Sequence, residues 1–342
     1  MDIYAKSYDT FKCIADKCPD SCCKDWDVVV DDESFEIYNK AQGEFGDKLR
    51  SLMQIDSDGD RIFVSQNGRC PFWNKDMLCD IYINLGENCL CETCKRFPRL
   101  TLDYTAFCEH MLSFACPEAA RLMLQNESEF DDFADYDVSI DVEDFDAELM
   151  KFLLSCRART FEILKNRDIQ FTERLKQCLW FNAQVQNLLD DDCFSYDVLD
   201  LEIPSFADSH KSDVDFIFNL HKSLDIMSNK WRELLSEKCN DIEITDEFLV
   251  LALYYVSRYY LCAVDSLDVL STIKRIVCAC VVISGLENNL TLKEGKITAE
   301  RKCELIQLYS KEVEHSYENS EALEFEFATS SDFSVDNLIS IL

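Results

Sequence analysis

Cysteine is the residue type that could do chemistry in this chain, and its spacing is uneven. Cys13, Cys18 and the vicinal pair Cys22–Cys23 run as C-x4-C-x3-C-C and are closed by Trp26. Cys70-Pro71-Phe72-Trp73, Cys79, Cys94 and Cys116-Pro117 follow, so that 11 of the 19 cysteines fall within the first 116 residues. Isolated free cysteines are ordinarily small buried hydrophobes. A vicinal pair followed by Cys-anchored segments rich in proline and aromatics instead suits thiolate ligation of a metal. Soft thiolates select zinc, copper(I) or iron–sulfur centres. A zinc ribbon calls for two C-x2-C knuckles, and only Cys91-Glu92-Thr93-Cys94 has that form. The C-x3-C-C spacing with remote partners suits an iron–sulfur cluster better. His110 is the only histidine in this region, and a lone histidine is more often a core or surface residue than a ligand.

The elements that must position these thiols are short. Val28–Val30 and 61–65 read as strands, and 32–53 as helix broken near Gly43 and Gly46. Asp56, Asp58 and Asp60 alternate like calcium ligands. Arg61 and Asn67 stand where such a loop needs Gly and Glu, so 56–60 reads as a plain turn. Cys70–Tyr82 forms a compact knuckle, with short helices expected at 81–86 and 91–97. Thr101–Tyr104 and Phe107–Leu112 form a hairpin, and Pro117 opens a helix. Residues 127–148 hold 11 acids and read as a linker. Beyond it, apolar residues recur at three and four over 147–166, 171–190, 210–237, 246–263, 267–284 and 298–316. The tail from Glu318 is polar with an apolar end. The fold expected is mostly α: a cysteine-rich domain with a few short strands around a metal centre at 1–126, a linker at 127–148 and an all-α bundle at 149–342.

Charge and composition exclude several functions. With 34 basic and 66 acidic residues the net charge is −32. Such a field repels nucleic acid and favours a basic, lysine-bearing partner. No basic-then-apolar leader opens the sequence, and the apolar windows 248–263 and 270–286 are interrupted by Arg258 and by Lys274–Arg275, so no membrane span is expected. A cytoplasmic protein with reduced thiols follows, and the odd cysteine count agrees. There is no G-x-G dinucleotide loop, no Gly-rich phosphate loop and no G-x-S-x-G elbow. The C-x3-C-x2-C triplet of radical S-adenosylmethionine enzymes fails at Asp25.

Ordered blocks resemble the flagellin lysine-N-methylase (FliB-type) family. They are Tyr8-x2-Phe11-Lys12-Cys13, Cys18-x3-Cys22-Cys23-Lys24-Asp25-Trp26, Cys70-Pro71-Phe72, Leu78-Cys79, Thr93-Cys94-x2-Phe97-Pro98-Arg99 and Ser113-x2-Cys116-Pro117-Glu118-Ala119-Ala120-Arg121. The first portion is also similar to the CxxCxxCC zinc- or iron-chelating family, with longer spacings. The likeness spans about residues 4–124. It implies methyl transfer to flagellin lysines, a [4Fe–4S] centre and S-adenosylmethionine as donor. The family's cysteine positions fall on Cys13, Cys18, Cys22, Cys23, Cys70, Cys79, Cys94 and Cys116. Cys22, Cys23, Cys79 and Cys94 rank first as ligands, then Cys18, Cys70 and Cys116, with Cys13 last because its setting reads as helical and apolar. Cys89, Cys91 and Cys108 are expected to be non-ligands. No catalytic residue or donor-binding residue is assigned by sequence, although a site between the cysteine domain and the bundle is implied. The alternative function is a non-enzymatic metal-binding or redox-sensing interaction module.

Overall fold

The computed structural model describes residues 1–134, 136, 146–206, 213–239 and 241–342. Much of the expected acidic linker, at 135 and 137–145, lies outside the described residues. The architecture is mostly α with two three-stranded sheets. In the first, β6 (Cys108–Leu112) is central, with β5 (Arg99–Asp103) antiparallel and β1 (Asp2–Tyr4) parallel to it. The β5–β6 hairpin was legible in the sequence. β1 was not, because three residues carry no periodicity. In the second sheet β4 (Arg61–Phe63) lies between β2 (Val28–Val29) and β3 (Met53–Ile55).

Buried apolar side chains form two clusters. The larger takes in the first sheet, helix Pro117–Leu124 and the helical bundle. The smaller is built from Val28, Val30, Tyr38, Leu49, Phe63 and Phe72 together with Cys70 and Cys91, with Cys23, Cys79 and Cys94 packed against it. Helices Asp32–Lys40 and Gly43–Leu52 cover this smaller core. Asp31 caps the first of them, accepting from Ser34 N at 2.9 Å, and also accepts from Glu92 N at 2.7 Å. One carboxylate thus satisfies the opening N–H groups of two helices and fixes the segment carrying Cys91 and Cys94.

The bundle departs from the expected helices at three places. The helix expected over 210–237 is two, Asp215–Ser223 and Asn229–Ser236. Ser228 caps the second, and the Glu312 carboxylate takes the N–H groups of Met227 (2.9 Å) and Ser228 (3.0 Å), so the chain turns there. The last long helix is regular over Ala299–Tyr309 and then widens to a π-turn, Ser310–Glu314. The polar tail folds into Tyr317–Thr329 and Val335–Ile341, each opened by a serine cap, with Leu323, Phe327, Leu338 and Ile341 buried. Among the described residues one stretch, Asp246–Ser266, is long and apolar enough to cross a membrane, and 72% of its apolar window is buried in the protein. As expected for core packing, Cys156, Cys178, Cys278 and Cys280 are fully buried.

A buried ion pair joins the first sheet to helix Ala147–Lys165. Arg157 forks onto Glu109 of β6 at 3.0 and 2.7 Å, both side chains are 0% exposed, and the Tyr136 hydroxyl donates to the same carboxylate at 2.7 Å. Removing one partner leaves a bare buried charge. Arg157→Ala should therefore lower unfolding stability by about 3–5 kcal/mol in urea titrations. A loss below about 1 kcal/mol would show that the pair is not a structural tie.

His221 is also buried. Its Nδ1–H donates to Ile217 O (2.8 Å) and its Nε2 accepts from the Tyr309 hydroxyl (2.9 Å). Burial pushes its pKa down to about 4, whereas the unfolded chain protonates near the ordinary value of 6.5. The unfolded state then binds more protons between these limits, so the stabilisation is present above pH 6.5 and is lost as pH falls toward 4. The slope of stability against pH over 6.5–4.5 should be shallower in His221→Gln than in the parent by up to about 1.4 kcal/mol per pH unit. Equal slopes would assign the acid sensitivity elsewhere.

Candidate metal centre and adjoining cleft

The loop 13–26 has little regular structure and is held by its own polar side chains. A single 3-10 turn, Ala15–Lys17, follows Cys13, which is exposed. The helical, apolar setting expected for Cys13 is therefore corrected: Pro19 and the following turn leave no room for a helix to propagate. The Cys18 thiol contacts Asp20 O (3.1 Å), Ser21 Oγ accepts from Cys23 N (3.1 Å), and the Trp26 indole N–H donates to Cys22 O (2.6 Å). Cys70 N donates to Cys23 O at 2.8 Å, which seats the knuckle against the vicinal pair. The turn at Asn67–Gly68, both at positive φ, brings Gly68 O to Asp25 N at 3.2 Å. A Cβ on Gly68 would stand 2.8 Å from the Asp25 carboxylate, so the position needs glycine.

The thiols interact directly. Cys22 and Cys70 both hydrogen-bond to Cys23 and hold it well below the ordinary thiol range. The same contacts raise Cys22 and Cys70, and burial adds to this. Cys94 is raised by its hydrogen bond to Cys91 and by burial, and it also senses Cys22 and Cys23. Burial raises Cys79, which lies within electrostatic reach of Cys23. Cys22, Cys23, Cys70, Cys79 and Cys94 therefore converge, and Cys91 stands beside them with the Tyr38 hydroxyl 3.4 Å from its sulfur. Cys18 and Cys116 are raised chiefly by burial, Cys116 to about 12, and both sense Cys13. Cys13 and Cys116 also lie within electrostatic reach of Cys22.

This donor set fits an iron–sulfur centre. It is all thiol, with Cys70 and Cys116 buried, Cys18, Cys23, Cys79 and Cys94 half-buried and Cys13 and Cys22 exposed, and ligation would replace each S–H bond with a metal–thiolate bond and release the proton. One zinc ion with Zn–S bonds of about 2.3 Å needs sulfurs about 3.8 Å apart. Among the described residues no three cysteine sulfurs lie within 4.8 Å of one another. Sulfurs on one zinc would have to draw closer than they stand, whereas in a cluster each thiolate would meet a different iron.

A cleft of about 310 Å³ opens beside the loop, between it and the bundle. Ile14, Pro19, Pro117 and Leu308 give it an apolar wall, and Asp20, Asp25, Glu118, Arg121, Glu300 and Lys311 give it charge. Lys311, on the π-turn, is 3% exposed and reaches Asp20 at 2.9 Å and Asp25 at 3.4 Å, with its ammonium 5.3 Å from the centre of the Trp26 ring. Burial opposes the Asp20 charge, but Lys311 and Lys24 outweigh it and hold the carboxyl below its ordinary value. Gln307, one turn earlier, donates to Asp20 (3.1 Å) and to Ala115 O (2.9 Å). His315 packs on Trp26 and Phe97 and meets Ser113 Oγ at 2.9 Å. Glu314 accepts from Tyr254, Tyr255, Tyr259 and Arg258. The sequence assigned no role to Gln307 or Lys311. Their four-residue spacing puts them on one helical face, but nothing local names Asp20, about 290 residues away, as their partner.

Over 122 residues, 34% of this chain, the sequence is 30% identical to the flagellar biosynthetic protein FliU of Salmonella muenchen, and the match covers 72% of that protein. It is also 30% identical over 122 residues to the lysine-N-methylases of Salmonella typhimurium and Salmonella choleraesuis, covering 30% of each. The chain thus spans under a third of the length of those two relatives. No protein-family profile matches the chain, and no solved structure does. Sequence kinship over most of FliU, which the two methylases share at the same identity, places this chain in the flagellin lysine-N-methylase family.

Proposed function

We propose that the chain is a protein lysine N-methyltransferase acting on flagellin in the cytoplasm, with S-adenosylmethionine as donor and a [4Fe–4S] centre in the cysteine-rich core. The observation that carries this reading is the 122-residue kinship to proteins named lysine-N-methylase. Cys22, Cys23, Cys79 and Cys94 are the first candidates to hold the cluster, followed by Cys18, Cys70, Cys116 and Cys13. Bound there, the centre would supply a rigid cross-link of the loop that forms one wall of the cleft.

The cleft suits the donor chemically. Its apolar wall would take the adenine, its carboxylates the ribose hydroxyls and the cationic sulfonium, and Arg121, forked onto Glu118 at 2.9 and 2.6 Å, would turn to the donor's carboxylate. In the transfer the donor's S–CH₃ bond breaks and an N–CH₃ bond forms to the lysine amine. The amine must first lose a proton, since its ordinary pKa is about 10.4. Carboxylates at the cleft orient the ammonium as it enters, and the proton leaves to solvent at the cleft mouth. The net charge of −32 favours approach of a lysine-bearing surface.

Anaerobically purified protein should carry iron and sulfide at about four each. Cys79→Ser or Cys94→Ser should strip the iron, while Cys89→Ser and Cys108→Ser should keep it near the parent level. Full iron in both Cys79→Ser and Cys94→Ser would place the cluster on other thiols. A single zinc with no iron would refute it altogether.

Co-expression with flagellin should raise the intact mass of flagellin by multiples of about 14 Da, one CH₂ each. Arg121→Ala should weaken donor binding in calorimetry by about tenfold, one lost charge-assisted hydrogen bond, without loss of iron. Unshifted flagellin together with no donor binding by the metal-loaded protein would favour the non-enzymatic interaction module.

A further inference from the structure

A second, smaller group of metal-ligating side chains lies outside the cysteine core, on the outward face of the first sheet. The parallel register sets Asp2 directly opposite Cys108, and His110 follows two residues along β6 on the same face. The opposite face, with Ile3, Glu109 and Met111, is buried against the bundle. One ligand atom each from Asp2, Cys108 and His110 lie within 4.8 Å of one another, and His110 Nε2 is 3.0 Å from Asp2 Oδ1. A surface Asp–His pair by itself is ordinary. Two further observations separate this group from one.

The first is how the imidazole is held. Its Nδ1 is engaged by Thr101 Oγ1 at 3.0 Å, and its ring stacks on Tyr4 with centroids 4.5 Å apart and planes at 14°. The Asp2 carboxylate can only accept, so without metal the imidazole carries its proton on Nε2 and Nδ1 accepts from the Thr101 hydroxyl; a metal at Nε2 shifts that proton to Nδ1, which then donates to Thr101 Oγ1. That is the arrangement of a ligating histidine, whose other nitrogen donates to a nearby oxygen. The second is the thiol. Cys108 is half-buried on the same face, opposite Asp103 across the β5–β6 hairpin, so the group includes a sulfur donor. Sulfur, imidazole and carboxylate together match zinc and not the all-oxygen preference of magnesium or calcium.

We propose that Asp2, Cys108 and His110 form a surface zinc site, with water as fourth ligand and with Thr101 holding His110 from behind. Tetrahedral zinc with bonds of about 2.0–2.3 Å needs ligand atoms about 3.3–3.8 Å apart, within reach of small side-chain rotations from the observed spacing. Binding replaces the Cys108 S–H bond with a zinc–thiolate bond and releases the proton to solvent. The site clips the N-terminal strand to the hairpin, and it is independent of the proposed methyl transfer.

Anaerobic, iron-loaded protein incubated with zinc chloride and passed through gel filtration should retain one zinc per chain. Cys108→Ser/His110→Ala should lose that equivalent with iron unchanged. Asp2→Asn changes an exposed side chain and leaves the sheet intact; together with Thr101→Val it should weaken zinc binding in calorimetry at least about tenfold. No zinc equivalent on the parent, or equal zinc on the parent, the Cys108/His110 variant and Asp2→Asn, would overturn the site. Should the protein purify without iron, the difference between parent and variants still reads this site alone, because the core cysteines are the same in all of them.

Discussion

The tie between the cysteine loop and the bundle is one buried cation. Lys311 is almost fully enclosed, and a lone ammonium there would be costly. Two carboxylates from the loop, Asp20 and Asp25, meet it, and the face of Trp26 lies beside it. Each partner then depends on the others. Asp25 is at positive φ, with its N–H on Gly68 O. Asp20 is shared with Lys24 and Gln307. Trp26 anchors to Cys22 O. An interaction of this kind stabilises little in net terms, because desolvation offsets attraction, but it admits few geometries. It fixes where the loop sits, and so the mouth of the cleft and one flank of the thiol core.

The π-turn is what makes this possible. In a regular helix Lys311, Glu312 and Glu314 would point in directions set by 3.6 residues per turn. The wider turn lets three charged residues in a row of four be buried, each with its own partners. Lys311 takes the loop, Glu312 takes the N–H groups that begin helix Asn229–Ser236, and Glu314 takes three tyrosines and Arg258. Such turns recur at functional sites, and here one joins the cleft, the bundle and the aromatic group of Trp26, Phe97 and His315.

The thiol core carries a different constraint. Its nine buried residues include Cys70 and Cys91, and Cys23, Cys79 and Cys94 pack against them. A core this small gains little from burial alone. Ligation of its sulfurs would add the missing free energy, which couples folding of the loop to the metal.

The sequence by itself determined the local elements and the chemistry. Proline and glycine placed the break near Gly43, the turn at Asn67–Gly68 and the helix opened by Pro117, because each acts on its own backbone, whereas Gly46 lies inside helix Gly43–Leu52 and makes no second break. Thr101–Tyr104 and Phe107–Leu112 were read as a hairpin, and three-and-four periodicity marked the bundle. The cysteine spacing marked where the thiols gather, and the ordered motif blocks pointed to the family. The tertiary structure alone decided which side chains meet. The three residues of β1 are too short to show a period, and their pairing with β6 spans more than a hundred residues. The split of 210–237 follows from Glu312, and the burial of Lys311 from Asp20 and Asp25, partners far away in the chain. A buried charge is defined by its partner, and no window of sequence contains both.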